Sequence, residues 1–234
     1  MPFKTPHAGA TWPCLCAAAG LLWLGGALAA QSPQRSANSE FNAAAIRRPS
    51  LPNGQALYTT CAACHGSDGQ GVRDGSVPAI AGQHGSVLLK QLTDFRHRQR
   101  NDLRMQHFAD DHHLAGPQEL TDVAAYVASL PRYRPPPMQP PKVGVLQEGA
   151  RSYFRQCERC HGPLGQGDVH LLRPRLAGQH PAYLAKQMRE SAQGLRPGMG
   201  PQHQRLLQTL SEAQIDGVAA YLAAVSPELS QQGR

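Results

Sequence analysis

A Cys-x-x-Cys-His pattern occurs twice in this chain, at Cys61–His65 and at Cys157–His161, and equivalent positions are 96 residues apart. This is the spacing of c-type haem attachment. Each thiol reaches one of the two vinyl groups of a single haem, and the adjacent histidine turns its ring onto the iron. The sequence therefore predicts two haem c groups with their iron, attached through four cysteines and bound by two histidines: Cys61, Cys64, Cys157, Cys160, His65 and His161.

Four cysteines in an exported chain could instead form two disulfides, a zinc site or a redox-active dithiol. None of these explains a histidine directly after both pairs. A zinc site would also require two distant pairs to converge, and a thioredoxin-like dithiol would require alternating strands and helices, which the sequence does not show. Covalent haem is the favoured interpretation.

Export is inferred from the first thirty residues. Lys4 gives a weakly basic start, Cys14 to Ala30 is mostly apolar, and Ala27-Leu28-Ala29 is a small-x-small cleavage site. Residues 1–30 are predicted to be a secretory signal, whose removal leaves only the four motif cysteines. An uncleaved membrane anchor is the alternative, and it also implies export. We expect the protein to be periplasmic.

The two motifs lie in an internal repeat. Residues that share the offset of 96 include Gly69/Gly165, Gly71/Gly167, Pro78/Pro174, Ala81–His84/Ala177–His180 and Lys90-Gln91/Lys186-Gln187. Val123–Tyr126 and Val218–Tyr221 then match at an offset of 95. The chain is therefore predicted to contain two tandem domains of about 80 residues. A domain of that size has a small core, which a bound haem would fill.

Helical spacing of apolar residues predicts three main helices in each copy and an all-α fold with long loops. We expect a flexible leader over 31–49, the first domain over 50–131, a proline-rich linker over 132–145, the second domain over 146–227 and a tail over 228–234. The linker prolines favour an extended segment that lets the second domain turn towards the first.

These features resemble the dihaem cytochrome c4 family, which has two tandem class I cytochrome c domains. The resemblance covers about residues 50 to 227 and rests on the haem motifs, the Ala-Gly-Gln segments and the terminal Ala-Ala-Tyr helices. It implies that the carbonyls of Pro78 and Pro174 orient the two iron-binding histidines, an arrangement that raises the basicity of a ligand. It also implies a pseudo-two-fold pair of domains with the haems close together.

The sixth iron ligand is expected in the segment before the last helix of each copy. The candidates are Met105, His107, His112 and His113 in the first copy and Met188, Met199 and His203 in the second. Met188 aligns with Leu92 and is predicted to be a core residue. Met105 and Met199 lie at similar distances from the matched last helices, and we expect them to be the ligands. His112 or His113 is the alternative at the first haem.

An iron with six protein ligands has no open position for a substrate, so the predicted function is single-electron transfer and not catalysis. The expected partners are a quinol-oxidising complex and a terminal oxidase. Other interpretations are the cytochrome subunit of a larger dehydrogenase, or a dihaem enzyme such as a peroxidase or a thiosulfate-oxidising dehydrogenase.

The net charge of +7 is unevenly distributed along the chain. Residues 50–131 carry 6 basic and 8 acidic side chains, whereas residues 146–227 carry 9 and 6. Such a molecule could present different faces to a donor and an acceptor. The basic charge also suits association with a membrane surface, while export argues against a nucleic-acid partner.

Overall fold

The structure is a computed structural model that describes residues 33–132 and 141–225. Within these ranges it contains ten α-helices, a single 3₁₀ turn and no strand. The helices are α1 Pro33–Ala45, α2 Leu51–His65, α3 Gly85–Arg96, α4 Leu103–Phe108, α5 Pro117–Ser129, α6 Val143–Gln156, α7 Glu158–His161, α8 Pro181–Ala192, α9 Pro201–Gln208 and α10 Glu212–Ala224, and the 3₁₀ turn is Pro197–Met199. The predicted all-α class is confirmed.

The two copies share one packing scheme. In the first copy α2 packs across α5, and in the second α6 packs across α10. The helices approach closely because the crossing residue is a glycine: a Cβ on Gly54 would lie 2.1 Å from the Asp122 carbonyl oxygen, and one on Gly149 would lie 1.9 Å from the Gly217 carbonyl oxygen. Any side chain at either glycine would therefore separate the two helices.

The apolar core of each copy is built from these crossing helices and the helix after the haem motif. In the first copy the core residues include Tyr58, Leu89, Leu120, Val123 and Val127. In the second copy they include Tyr153, Leu184, Ile215, Val218 and Leu222. Met188 packs against the second core, as predicted from its alignment with Leu92.

Residues 31–49 are not the flexible leader expected from the sequence, because α1 occupies most of this segment and packs on α3 and α5. Ala37 and Ala44 are fully buried, and Phe41 contacts the first core. These three residues recur at helical spacing, a signal that the sequence prediction overlooked. The first copy therefore has a helix for which the described part of the second copy shows no counterpart.

Two short helices, α4 and α9, lie in the segments where the sequence predicted only loops. The Asp102 side chain caps α4 by accepting hydrogen bonds from the backbone N–H groups of Arg104 and Met105. The end of the expected linker is also helical, since α6 begins at Val143.

Residues 1–32, 133–140 and 226–234, which include the expected signal, most of the linker and the tail, lie outside the described residues. In the part of the chain that is described, no helix is both long and apolar enough to cross a bilayer.

Candidate haem sites

Cys61 and Cys64 lie in the last part of α2, Cys157 lies between α6 and α7, and Cys160 lies in α7. Cys61 and Cys157 are half-buried, and Cys64 and Cys160 are exposed. Burial raises the pKa of Cys61, and it raises that of Cys157 to about 11. A redox-active dithiol requires a lowered thiol pKa, so the environment of these cysteines does not favour that alternative.

The motif histidines are buried, and each is held by the carbonyl of the proline thirteen residues later. The Nδ1 atom of His65 is 3.0 Å from the Pro78 oxygen, and that of His161 is 3.1 Å from the Pro174 oxygen. Because a carbonyl only accepts, Nδ1 carries the proton and Nε2 keeps its lone pair for a metal. Burial lowers the pKa of both rings, which favours the neutral form that binds iron.

The loop after each motif folds back onto the motif histidine. Gly71 donates its backbone N–H to the His65 carbonyl at 2.8 Å, and Gly167 does the same to the His161 carbonyl at 2.8 Å. The matched glycines of the repeat thus set the path of this loop. That path brings Pro78 and Pro174 back to the rings they hold.

In the first copy, the structure places Met105 as the third residue of α4. Burial is the main cause of the lowered pKa of His65, and the charges of Arg104 and Asp102, at the start of α4, have smaller and opposite effects on it. The alternative ligands have other surroundings. His113 Nδ1 is 3.0 Å from an Asp110 carboxylate oxygen, while His112 is exposed.

In the second copy, Met199 and His203 occupy different elements. Met199 ends the 3₁₀ turn, and His203 lies in α9. The His203 ring centroid is 6.5 Å from that of His161. Burial, together with the charges of His161 and nearby arginines, lowers the pKa of His203 to about 4. His203 is therefore a neutral, half-buried imidazole next to the motif histidine.

The Ala-Gly-Gln-His segments join the two copies through reciprocal hydrogen bonds. Gln179 accepts from the Ala79 N–H at 3.0 Å and donates to the Ala79 carbonyl at 2.7 Å. Gln83 accepts from the Arg175 N–H at 2.8 Å and donates to the Arg175 carbonyl at 2.9 Å. Ala79 and Arg175 are themselves matched residues of the repeat, so one contact is the pseudo-two-fold image of the other.

The histidines of the same segments continue this symmetry. His84 Nε2 is 2.8 Å from the Gln166 carbonyl oxygen, and His180 Nε2 is 2.8 Å from the Gln70 carbonyl oxygen. All these bonds lie in the loops that hold the motif histidines. The interface therefore fixes the two haem sites relative to one another.

Two buried arginines at this interface fit the anionic groups of haem. Arg132 is 3% exposed and Arg175 is 2% exposed. All three guanidinium nitrogens of Arg132 are buried without a hydrogen-bond partner among the described residues. Burial and the Arg175 charge lower the pKa of Arg132 to about 9. A buried cation requires an anion, and the carboxylates of haem are of that kind. Neither arginine was predicted from the sequence to be a site residue.

Comparisons with known proteins agree with this geometry. The family model for cytochrome c matches residues 51–131 and 146–226. The chain is 32% identical to cytochrome c4 of Pseudomonas aeruginosa over 72% of this chain and 85% of that protein. The chain belongs to the cytochrome c4 family. The two copies are thus two cytochrome c domains, each with a covalently bound haem c, and the protein is an electron carrier and not an enzyme.

Two further relatives of this cytochrome are informative. It is 31% identical to a thiosulfate dehydrogenase electron acceptor of Stutzerimonas stutzeri, over 77% of this chain and 89% of that protein. Its fold matches the crystal structure of reduced recombinant cytochrome c4 from Pseudomonas stutzeri with a TM-score of 0.65 and 29% identity, covering 76% of this chain and all of that one.

Proposed function

We propose that this cytochrome carries single electrons between redox partners in the periplasm, from a quinol-oxidising complex to a terminal oxidase. The observation that supports this most directly is the reciprocal bonding of Gln83 and Gln179. It joins the two loops that orient the motif histidines. A rigid pair of haem sites suits an electron that enters at one haem and leaves from the other.

The chain's own residues limit what else can happen at the haems. The haem supplies a one-electron change at its iron. The Pro78 and Pro174 carbonyls fix the rings of His65 and His161, and Met105 is proposed as the sixth ligand in the first domain. Ligands that stay bound in both oxidation states would keep the rearrangement on electron transfer small. If protein ligands filled both positions, no site would remain for peroxide, which argues against the peroxidase alternative.

The dehydrogenase alternative has a specific observation in its favour, because one relative is named as the electron acceptor of a thiosulfate dehydrogenase. In this alternative, a dehydrogenase donates the electrons in place of the quinol-oxidising complex, and the cytochrome remains the carrier. The acidic balance of the first domain and the basic balance of the second would then orient the carrier between donor and acceptor.

The test is stopped-flow oxidation of the fully reduced cytochrome by membranes that contain a haem–copper oxidase. We expect both haems to be oxidised in a cyanide-sensitive reaction whose rate falls as salt rises. Purified thiosulfate dehydrogenase with thiosulfate is the alternative electron donor to the oxidised protein. Turnover of peroxide without a protein partner would contradict the carrier proposal.

A further inference from the structure

The segments that carry the candidate sixth ligands differ between the two domains. In the first domain, Met105 is the third residue of α4. In the second domain, the third residue of the corresponding short helix α9 is His203. Met199 lies before α9, in the 3₁₀ turn. Counted from the start of the short helix, the residue that corresponds to Met105 is therefore a histidine.

The position of the His203 ring relative to His161 agrees with this correspondence. Two imidazoles that bind one metal from opposite sides, each at about 2.0 Å, hold their ring centroids about 6.3 Å apart. The observed separation is 6.5 Å, with the ring planes inclined by 62°. The observed separation matches that of two ligands with a metal between them.

The His203 ring also lacks a partner that its burial requires. Its Nδ1 atom is buried, with no hydrogen-bond partner among residues 33–132 and 141–225. A buried polar atom that makes no bond costs free energy. An imidazole in this state suits a metal ligand.

The 3₁₀ turn that ends at Met199 contacts the first domain through its middle residue, Gly198. A Cβ on the neighbouring Gly198 would lie 2.9 Å from an Asp94 carboxylate oxygen. The Gly198 N–H also points to the Gln99 carbonyl at 3.4 Å. The 3₁₀ turn thus packs on the other domain, which gives this segment a structural role without iron.

We propose that His203, and not Met199, is the sixth ligand of the second haem. The inference rests on the proposed carrier with two haems, and it gives these two haems different reduction potentials. A second histidine lowers the reduction potential of a haem, whereas methionine raises it. The first haem, with Met105, therefore has the higher potential, and a single electron on the protein resides there.

The test is far-red absorption and paramagnetic resonance of the ferric holoprotein, with haem counted per chain. We expect two low-spin haems but a methionine-to-iron band of half the intensity of a protein with two His/Met haems. M199L should leave the band and both potentials unchanged. H203M should double the band and raise the lower potential, and M105L should abolish the band.

A band that is already of full intensity in the wild type and is halved by M199L would overturn the assignment. Haem content and helical circular dichroism control for misfolding, because each variant should retain two haems per chain. In the first domain, His113→Met is the matched control and should leave the spectrum unchanged. Two low-spin His/Met haems would refute this inference alone, whereas a high-spin haem with an open position would refute the carrier proposal as well.

Discussion

The two domains are alike on the motif-histidine side of each haem site and differ elsewhere. Both hold the motif histidine through a proline carbonyl at closely similar distances, and both contribute the same glutamine contact to the interface. Only the first is covered by α1. The first also has Met105 at a position where the second has His203. The shared features fix the positions of the two haem sites, and the differing features can give the two haems different reduction potentials.

The largest expected effect comes from removing one haem at a time. C61A/C64A and C157A/C160A should each leave one covalent haem per chain, because the thioether bonds of that domain cannot form. A small domain has only about 3–5 kcal/mol of core stability, so the domain without haem should lose its fixed structure. Mass spectrometry and circular dichroism measure the two losses.

The two double variants should differ in how much helix they retain. The first domain should keep more helix than the second, since α1 still covers α3 and α5. Cys16→Ala, in the predicted signal, is the matched control and should leave two haems per chain. Two haems in either double variant would contradict the assignment of that cysteine pair.

The second prediction tests the symmetry of the interface. Q179A removes the two bonds to Ala79, and Q83A removes the two bonds to Arg175. Each variant also removes the bond to the backbone N–H of the following histidine, so three backbone groups lose a partner, which should cost about 3–5 kcal/mol of unfolding free energy in urea. The two losses should be similar. Gln193→Ala, at an exposed position, should change stability by less than about 0.5 kcal/mol.

The sequence predicted the parts of the molecule that depend on short motifs and on the repeat. The spacing of Cys61, Cys64 and His65 specifies haem attachment without reference to the rest of the chain. The offset of 96 predicted two domains, and Gln83 and Gln179 are among its matched residues, but only the structure shows that they join the domains. These signals are local or periodic, so they can be read without a structure.

The parts that the sequence did not predict depend on where separate segments meet. Nothing local shows that Arg132 is buried beside Arg175, or that α1 lies on the first domain. His203 was among the candidates, but counting residues back from the last helix favoured Met199. The structure shows that the short helix α9 starts after Met199, and this start sets the register of the segment.

The third prediction concerns acid stability, which should depend on the first domain. Burial alone would raise the pKa of Asp122, but hydrogen bonds from Asn53, Ser50 and Gln118 outweigh it and lower this pKa. The ionised carboxylate therefore stabilises the fold above its unfolded pKa of about 3.9, and this contribution is lost as the pH falls through the lower folded value. The second domain has Gly217 at the matched position.

D122N should cost about 1–3 kcal/mol of unfolding free energy at pH 7, because it replaces an acceptor of three hydrogen bonds. The cost should shrink as the pH falls through the lowered folded pKa of Asp122, below which the wild-type carboxyl is also protonated. Asp216→Asn, in the exposed ion pair with Arg189, is the matched control in the second domain. A cost for D122N that does not change with pH would show that its ionisation does not stabilise the fold.

The smallest expected effect tests α1, which has no counterpart in the described part of the second domain. Glu40 of α1 accepts one hydrogen bond from Arg96, and His97 Nε2 is 2.7 Å from its other carboxylate oxygen. E40Q should cost about 1 kcal/mol, because Arg96 keeps its bonds to backbone carbonyls of the first domain. Hydrogen exchange should become faster in α1 and α3 and stay unchanged in α8.

E148Q, in an exposed pair, is the control. Equally faster hydrogen exchange in α8 would mean that α1 stabilises both domains. The two domains would then differ in their haem ligands and not in the effect of α1.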